Sequence, residues 1–312
     1  MPPQDVVEIL KAKYGYSTYL AEAIWNSLGS SALTFAESER QQVLKSIRVN
    51  TLKTDANTLL SRLEYKGFKL KKAEWTKTGY WVLKEPARPT LGSTEEYLCG
   101  HYFIQSLASI YTVEALNPRP GETVLDMAAG PGGKTTHISQ LMDNTGTVVA
   151  VEPKRDRVAA LRSNISRMGC ENTVVLQTDG RNVPELDVKF DRILVDAPCT
   201  GTGLISLYPS LKTRVTHEDV EALTALQSGL LEAATNVLKK GGELVYSTCS
   251  ILPQEGEQVV TRASDADLKI VPLTLPLATD EKYSTTPLDG AVRFYHHTTS
   301  TEGFFVCKMR KE

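Results

Sequence analysis

Two cysteines lie in loops whose composition suits nucleophilic chemistry. Cys199 is found in the segment DAPCTGTG and Cys249 in the segment STCS, each directly after a run of apolar residues typical of a buried strand. The Gly, Ser and Thr residues around them leave a thiol accessible, and an accessible thiol can ionise and form a covalent intermediate. The pattern predicts that these two side chains act through their reactivity.

The remaining cysteines, Cys99, Cys170 and Cys307, have no such surroundings, and we expect them to be small apolar fillers. No pair of cysteines has the close spacing of a zinc site, and a reducing compartment keeps thiols free. We therefore expect neither disulfide bonds nor a bound metal.

A glycine-rich loop, DMAAGPGGKT, occupies residues 126–135 between a predicted strand and a predicted helix. Glycines at such a turn let backbone N–H groups approach a ligand, and the amino end of the helix favours an anionic group. Two common motifs fail on spacing. A P-loop ending in GKT needs glycine where Ala128 stands, and a dinucleotide fingerprint starting at Gly130 needs Gly or Ala where Thr135 stands. The loop alone predicts only a nucleotide-like ligand.

Acidic side chains end four successive predicted strands: Asp126, Glu152, Asp179 and Asp196. The acid after the second strand can accept both ribose hydroxyls of an adenosine, and Asp179 can accept from an adenine amino group. For any one of these acids, capping of the next helix is an equally good explanation. Four together favour a nucleoside ligand with a positive charge, and S-adenosylmethionine, which contains a sulfonium, is the expected cofactor.

A methyl donor beside a reactive thiol suits methylation of cytosine at C5. That carbon is too weak a nucleophile to attack a sulfonium methyl, but addition of a thiolate at C6 converts the ring to an enamine that can. Asp196 is placed to protonate or hydrogen-bond ring N3, and a further base must remove the C5 proton. The residues alone leave the nucleophile open between Cys199 and Cys249. DNA cytosine methyltransferases use a cysteine after proline, which favours Cys199.

A basic segment between Arg40 and Pro89 contrasts with the overall charge of -2. It contains twelve basic and four acidic residues, a local charge of +8. Five aromatic residues interleave with these charges: Tyr65, Phe68, Trp75, Tyr80 and Trp81. Charges can contact phosphates and rings can stack on bases, so the segment is either an RNA-binding surface or an ordinary solvated surface with core aromatics.

The wider pattern predicts an α/β protein. The 312 residues are 41% hydrophobic and 23% charged, which excludes disorder, and the absence of a long apolar run or leader predicts a cytoplasmic protein without a membrane segment. We expect helices over 1–45, a small basic α+β domain over 46–92 and a catalytic domain over 93–312. In the last, strands alternate with helices as in a doubly wound parallel sheet, and AVRFYHH with GFFVCKMR forms a closing hairpin.

The motifs DMAAGPGGKT, DAPCTGTG and STCS resemble those of the NOL/NOP/Sun (Fmu-like) family of RNA cytosine-C5 methyltransferases. The similarity runs from IRVNTLK through GHYFIQSLAS to EGFFVCKMRK. It implies a Rossmann-like class I methyltransferase domain with an RRM-like amino domain. It also implies that Cys249 is the nucleophile, that Cys199 assists product release, that Asp196 contacts the cytosine and that Lys134 lies in the catalytic pocket.

The resemblance also implies a donor site. Its expected residues are Ala128, Ala129, Gly130, Pro131, Gly132, Gly133, Lys134, Glu152, Arg157, Asp179, Gly180 and Asp196. Without room for an appended RNA-binding module, the chain is similar to archaeal-type tRNA methyltransferases, which favours tRNA as the partner, with ribosomal RNA as the alternative, and a monomer. A non-catalytic RNA-binding factor and a nicotinamide-dependent oxidoreductase are the other hypotheses.

Overall fold

Three helices open the chain, as predicted for the first 45 residues. The computed structural model describes residues 4–264, 267–273, 286 and 288–312. The helices are α1 (Gln4–Tyr14), α2 (Thr18–Leu28) and α3 (Ala32–Ser38). Their apolar faces share one core with Ile205, Ile251 and Tyr295, which lie far along the chain. The helices therefore pack on the loops that contain the cysteine motifs.

A small antiparallel sheet follows. Its elements are β1 (Ser46–Val49), α4 (Ala56–Tyr65), β2 (Lys69–Lys72), β3 (Gly79–Lys84), α5 (Glu95–Leu98) and β4 (Tyr102–Ile104). The strand order β2-β3-β1-β4, with every pair antiparallel, is that of a β-α-β-β-α-β unit and agrees with the predicted RRM-like architecture.

The small sheet extends past the predicted boundary at residue 92. Strand β4 pairs with β1, with Ile104 opposite Ile47 and Tyr102 opposite Val49. Tyr102 is buried in the same apolar cluster as Leu59 of α4. The boundary of the small domain therefore lies beyond residue 104, because without β4 one edge of β1 and the buried ring of Tyr102 would lose their partners.

The rest of the chain forms the predicted alternation of helices and strands. The elements are α6 (Leu107–Leu116), β5 (Thr123–Asp126), α7 (Gly133–Leu141), β6 (Thr147–Val151), α8 (Arg155–Met168), β7 (Thr173–Leu176), β8 (Phe190–Asp196), α9 (Leu211–Arg214), α10 (His217–Val237), β9 (Leu238–Thr248), α11 (Glu257–Ser264), β10 (Leu268–Ile270), β11 (Ala291–Phe294) and β12 (Phe304–Lys311).

In the described part of the chain these strands build one eight-stranded sheet. The order is β10-β12-β9-β8-β5-β6-β7, with β11 also paired to β12. The five neighbouring strands β9, β8, β5, β6 and β7 run parallel. Strand β12 runs antiparallel to β9, β10 and β11. The predicted antiparallel pairing of AVRF with FFVC is confirmed by the β11–β12 register.

Alternate side chains of the sheet face two separate cores. Leu125 and Ile193 pack in the cluster that contains Leu230 and Val237 of α10, whereas their chain neighbours pack with α6 and α7. A sheet covered on both faces is doubly wound, and the carboxyl ends of β5, β6, β8 and β9 meet at one edge. The glycine loop and both cysteine loops lie at that edge.

The other cysteines only partly follow the prediction. Cys170 and Cys307 are buried, but Cys99 is exposed, since it caps the short helix α5 at the surface. No helix in the part of the chain that the structure describes is long and apolar enough to span a bilayer. Among the same residues, no group of three or more His, Cys, Asp or Glu is placed to hold a metal ion.

Candidate active site

The two cysteine loops meet because β8 and β9 are parallel neighbours. Asp196 at the end of β8 stands opposite Ser247 of β9, and the loops that follow place the sulphur atoms of Cys199 and Cys249 at 3.0 Å from each other. Cys249 lines a cavity of about 380 Å³ together with Lys134 and Asp196. Among the described residues, Cys249 lines that cavity and Cys199 does not.

Backbone hydrogen bonds tie the cysteine loops to the strand β12. Gly203 donates its N–H to the carbonyl of Cys249 at 3.0 Å, and Gly303 donates to the carbonyl of Gly203 at 2.9 Å. A Cβ atom at position 203 would lie 1.9 Å from the carbonyl oxygen of Gly303, so only glycine fits there. The three segments are therefore held in direct backbone contact.

A buried carboxylate, which sequence reasoning missed, anchors the first cysteine loop. Glu255 accepts three hydrogen bonds: from the backbone N–H of Thr200 at 2.9 Å, from the hydroxyl of Thr200 at 2.5 Å and from the side-chain amide of Gln227 at 3.1 Å. Its segment, PQEGE, has no motif that signals chemistry. Its contact with Thr200 explains why a hydroxyl residue after Cys199 is useful.

The environment of Cys199 keeps its thiol protonated. The hydrogen bond to Cys249, burial, and the charges of Cys249 and Glu255 hold the pKa of Cys199 well above the ordinary thiol value. Cys199 therefore stays protonated and can donate its S–H to the sulphur of Cys249. This arrangement places a neutral thiol at Cys199 beside the sulphur of Cys249.

Lys134 and Asp196 form a fixed ion pair on the cavity wall. The ammonium of Lys134 donates to Asp196 Oδ2 at 2.7 Å and to the hydroxyl of Ser109 at 3.0 Å, while Ser247 donates to Asp196 Oδ1 at 2.7 Å. Burial alone would lower the pKa of Lys134, but the carboxylate of Asp196 outweighs it and the pKa is raised. The cavity therefore contains a permanent cation, which favours an anion such as a thiolate nearby.

A second cavity, of about 310 Å³, adjoins the first. Both cavities share Ile104, Gln105, Ser106, Ser109, Lys134 and Asp196 as lining residues. The second is also lined by Ala128, Ala129, Gly130, Pro131, Gly133 and Arg157 of the predicted donor site. The residues that join the two cavities are therefore those at which a donor and an acceptor base would meet.

The glycines and the charges around the second cavity are compatible with S-adenosylmethionine. A Cβ atom at Gly130 would lie 2.5 Å from Glu152, and one at Gly133 would lie 3.4 Å from the ring of Phe103. Gly132, with φ of 108°, begins α7 with backbone alone and so leaves N–H groups available to a carboxylate. Asp196 at the other end of the cavity suits a sulfonium.

Four predicted donor-site residues lie outside the lining of this cavity: Gly132, Glu152, Asp179 and Gly180. Glu152 is buried and accepts the N–H groups of Gly130 at 3.1 Å and Lys154 at 3.0 Å, so it supports the glycine loop from behind. A Cβ atom at Gly180 would lie 2.9 Å from the carbonyl of Met127. In this structure Glu152 accepts from backbone N–H groups and lies 3.6 Å from the guanidinium of Arg157, whereas Asp179 accepts from the side chain of Arg181.

Two of the four strand-end acids are committed to local contacts. The hydrogen bonds and charge of Arg181 hold the pKa of Asp179 below its usual range. Asp126 accepts the hydroxyl of Thr135 at 2.7 Å inside the fold, and burial raises its pKa to about 6. The series of acids predicted from the sequence therefore divides into loop supports and one cavity residue, Asp196.

The basic segment divides in the same way. Lys69 and Lys71 on the edge strand β2 and Lys84 at the end of β3 are exposed, whereas Arg48 is fully buried. Among the five aromatic residues only Tyr65 is exposed, and Phe68 belongs to the core. Trp75, Tyr80 and Trp81 are half-buried against the core, so Tyr65 is the one ring of the five that is fully open to a base.

Sequence reasoning also missed Ser109, Glu302 and Phe304, which line the first cavity. Ser109 lies in GHYFIQSLAS and the other two begin EGFFVCKMRK. Both segments contributed to the family resemblance, and that resemblance was the signal that could have identified these residues. Neither segment has a spacing that indicates chemistry.

The fold and the site define a class I methyltransferase: a mostly parallel sheet with a donor cavity at the glycine loop after β5 and an acceptor cavity beside it. The family model described as 16S rRNA methyltransferase RsmB/F matches residues 113–310, and the model for the N-terminal domain of 16S rRNA methyltransferase RsmF matches residues 19–107. The chain belongs to the RsmB/F family. The predictions of this fold, of this family and of S-adenosylmethionine as the cofactor are confirmed.

Relatives of several kinds resemble the chain. The 25S rRNA (cytosine-C(5))-methyltransferase nop2 of Schizosaccharomyces pombe is 38% identical and aligns with 96% of this chain and 52% of its own length. Ribosomal RNA small subunit methyltransferase F of Pectobacterium carotovorum is 38% identical over 89% of this chain and 58% of its own. The chain thus spans about half the length of the curated relatives it matches.

One solved structure matches the chain over nearly its whole length. The methyltransferase homolog protein from Pyrococcus horikoshii is 37% identical and superposes with a TM-score of 0.87 over 99% of this chain and 100% of its own. The arrangement of helices, small sheet and large sheet is therefore found complete in another protein.

Proposed function

We propose that this chain transfers a methyl group from S-adenosylmethionine to C5 of a cytosine in ribosomal RNA. The observation that supports this most directly is the position of Cys249 on the wall of a cavity that shares Lys134 and Asp196 with the donor cavity. A non-catalytic RNA-binding factor on the same fold would not need these adjoining cavities. A nicotinamide-dependent oxidoreductase would not need two adjacent thiols.

The side chains have distinct proposed roles. The thiolate of Cys249 adds to C6 of the cytosine, and the ammonium of Lys134 favours the ionised sulphur. Asp196 accepts a hydrogen bond from the base, since each carboxylate oxygen has a second acceptor site free beside its present partner. Cys199, as a neutral thiol 3.0 Å from Cys249, assists release of the product. S-adenosylmethionine, when bound, supplies a methyl group on a sulfonium.

Ribosomal RNA replaces the tRNA that the sequence favoured. The preference for tRNA rested on the lack of room for a further RNA-binding module. The names of the two curated relatives described above specify ribosomal RNA, of the large subunit in one case and of the small subunit in the other. The alternative is therefore better supported. A cytoplasmic location and a monomeric state stay predictions.

Incubation with methyl-labelled donor and either ribosomal RNA or tRNA tests the proposal, with bisulfite sequencing to locate the product. Cys249→Ala should abolish transfer. Cys199→Ala should accumulate a protein–RNA adduct that survives denaturant, because attack remains while release fails. Cys99→Ala, at an exposed thiol outside the site, is the matched control. Full turnover by Cys249→Ala would contradict the proposal, and methylation of tRNA alone would contradict its choice of substrate.

Donor binding can be measured separately from transfer. A ligand that binds the native state raises the melting temperature, so S-adenosylmethionine should stabilise Cys249→Ala as much as the unmodified chain. Stabilisation by NAD instead would favour the oxidoreductase hypothesis.

A further inference from the structure

Glu302 is a buried carboxyl group on the wall of the catalytic cavity. It is 4% exposed and lines the same cavity as Cys249, Lys134 and Asp196. It precedes the strand β12, and its side chain forms a hydrogen bond with Ser106, another lining residue. The roles proposed above for the active site do not use this group.

The position of Glu302 relative to the nucleophile is fixed by the backbone. The next residue, Gly303, donates its N–H to the carbonyl of Gly203 at 2.9 Å, and Gly203 donates to the carbonyl of Cys249 at 3.0 Å. Two hydrogen bonds therefore connect the segment of Glu302 to the residue that holds the thiolate. Because the contact at Gly203 is too close for a side chain, the two segments approach each other as far as backbone allows.

The two carboxyl groups of the cavity have different surroundings. Asp196 is engaged as an acceptor on both oxygens, by Lys134 and Ser247. Burial raises the pKa of Glu302, and the opposing effects of Ser106 and Lys134 do not cancel this rise. The titratable groups that share the cavity with Glu302 are Lys134, Asp196, Cys249 and Lys45. The cavity thus combines one carboxylate in an ion pair with one carboxyl held toward its neutral form.

We propose that Glu302 is the general acid that protonates N3 of the target cytosine as Cys249 adds to C6, an inference that rests on the function proposed above. Asp196, which already accepts from an ammonium and a hydroxyl, cannot supply a proton in that arrangement. A neutral carboxyl can both donate to N3 and accept from the neighbouring amino group.

Addition of the thiolate moves three electron pairs. The sulphur–C6 bond forms, the C5–C6 π pair moves to C4–C5, and the C4–N3 π pair moves onto N3, which takes the proton of Glu302. After C5 has gained its methyl group, removal of the C5 proton by a base returns an electron pair to C5–C6 and expels Cys249 as a thiolate. N3 then returns its proton to the Glu302 carboxylate, so Glu302 is regenerated.

The rate of adduct formation in a Cys199→Ala background tests this step. Glu302→Gln keeps a donor and an acceptor but cannot transfer a proton, so RNA should bind with nearly unchanged Kd while the adduct forms about 100-fold more slowly or worse. Glu302→Asp keeps the acid and should be intermediate. Glu114→Gln is the matched control, since Glu114 is 2% exposed and its pKa is also raised by burial.

Each outcome distinguishes the step from the function. An adduct that forms at the parental rate in Glu302→Gln would overturn the proposal. If the adduct forms at that rate and only its release is slow, the proposal also fails, and Glu302 would instead be the base that removes the C5 proton. A Glu302→Asp variant that is folded and as slow as Glu302→Gln would also overturn it. If the Cys199→Ala parent itself forms no adduct, the proposed function fails instead.

Discussion

Replacing Gly203 by Ala should separate the two cysteine loops. Gly203 lies in the loop of Cys199, donates to the carbonyl of Cys249 at 3.0 Å and accepts from Gly303 at 2.9 Å. The added Cβ would lie 1.9 Å from the carbonyl oxygen of Gly303 and 2.9 Å from that of Cys249. Real Cβ atoms do not approach other heavy atoms closer than 3.0 Å, so the backbone must move by roughly 1 Å.

The expected cost follows from the two hydrogen bonds that this movement breaks. Breaking one of these bonds leaves a buried donor or acceptor without a partner, which costs about 1–3 kcal/mol. Loss of both lowers the free energy of unfolding by about 2–6 kcal/mol. A displacement of about 1 Å at a reacting group is also expected to lower kcat about 100-fold. The perturbation therefore acts on stability and on methyl transfer together.

Urea unfolding and single-turnover methyl transfer measure the two effects, with Gly201→Ala as the control in the same loop. Gly201 has φ of 72° and open space for a Cβ, whose nearest atom would be at 3.9 Å. Its replacement should cost only the left-handed conformation, about 1–2 kcal/mol, and retain most of the kcat. Equal losses in the two variants would refute the argument that close backbone contact holds the loops.

The exposed lysines and one buried acid give two more predictions. Changing Lys69 and Lys71 to Gln should weaken RNA binding and reduce the slope of log Kd against log salt by about 1.4, at about 0.7 for each contact with a single strand. Lys240→Gln, at an exposed position near the start of β9, is the control, and an unchanged slope would mean that Lys69 and Lys71 belong to an ordinary solvated surface. Burial raises the pKa of Glu39 from 4.5 to about 7, so the folded chain retains a proton that the unfolded chain releases and stability falls as pH rises through this interval. Glu39→Gln should remove this decline of about 3 kcal/mol, measured by urea unfolding at pH 5 and pH 8, and an undiminished decline would exclude Glu39 as its cause.

The sequence predicted the large sheet well because its elements have clear periods. The alternation of helices and strands predicted for the catalytic domain is found in the structure, and α8 (Arg155–Met168) and α10 (His217–Val237) are among its helices. The short strand β4 was not foreseen, since Tyr102–Ile104 is too short to show a period and is identified only by its pairing with β1. Domain boundaries that depend on such pairings require the tertiary structure.

The candidate site was predictable where a motif and a strand end coincide. Cys199, Cys249 and Asp196 each follow a strand, and parallel strands bring their ends together. Glu255 and Glu302 could not be found in this way, because their partners Thr200 and Ser106 are 55 and 196 residues away along the chain. For Glu152 the sequence predicted the position directly after a strand. It did not predict the contact of the carboxylate, which accepts from the N–H of Gly130.

Arg48 shows why the small sheet and the donor loop form one unit. Composition counted it among the basic residues of the RNA-binding segment, but it is fully buried, and burial lowers its pKa to about 9. Its guanidinium donates to Gln105 and to the carbonyl of Gly133, both at 2.6 Å, and to Thr136 at 2.9 Å. A hydrogen bond to a charged group contributes about 1.5–3 kcal/mol, so this network resists separation. The strand β1 is therefore attached directly to the amino end of α7, and the small sheet with its exposed lysines keeps a fixed position relative to the glycine loop.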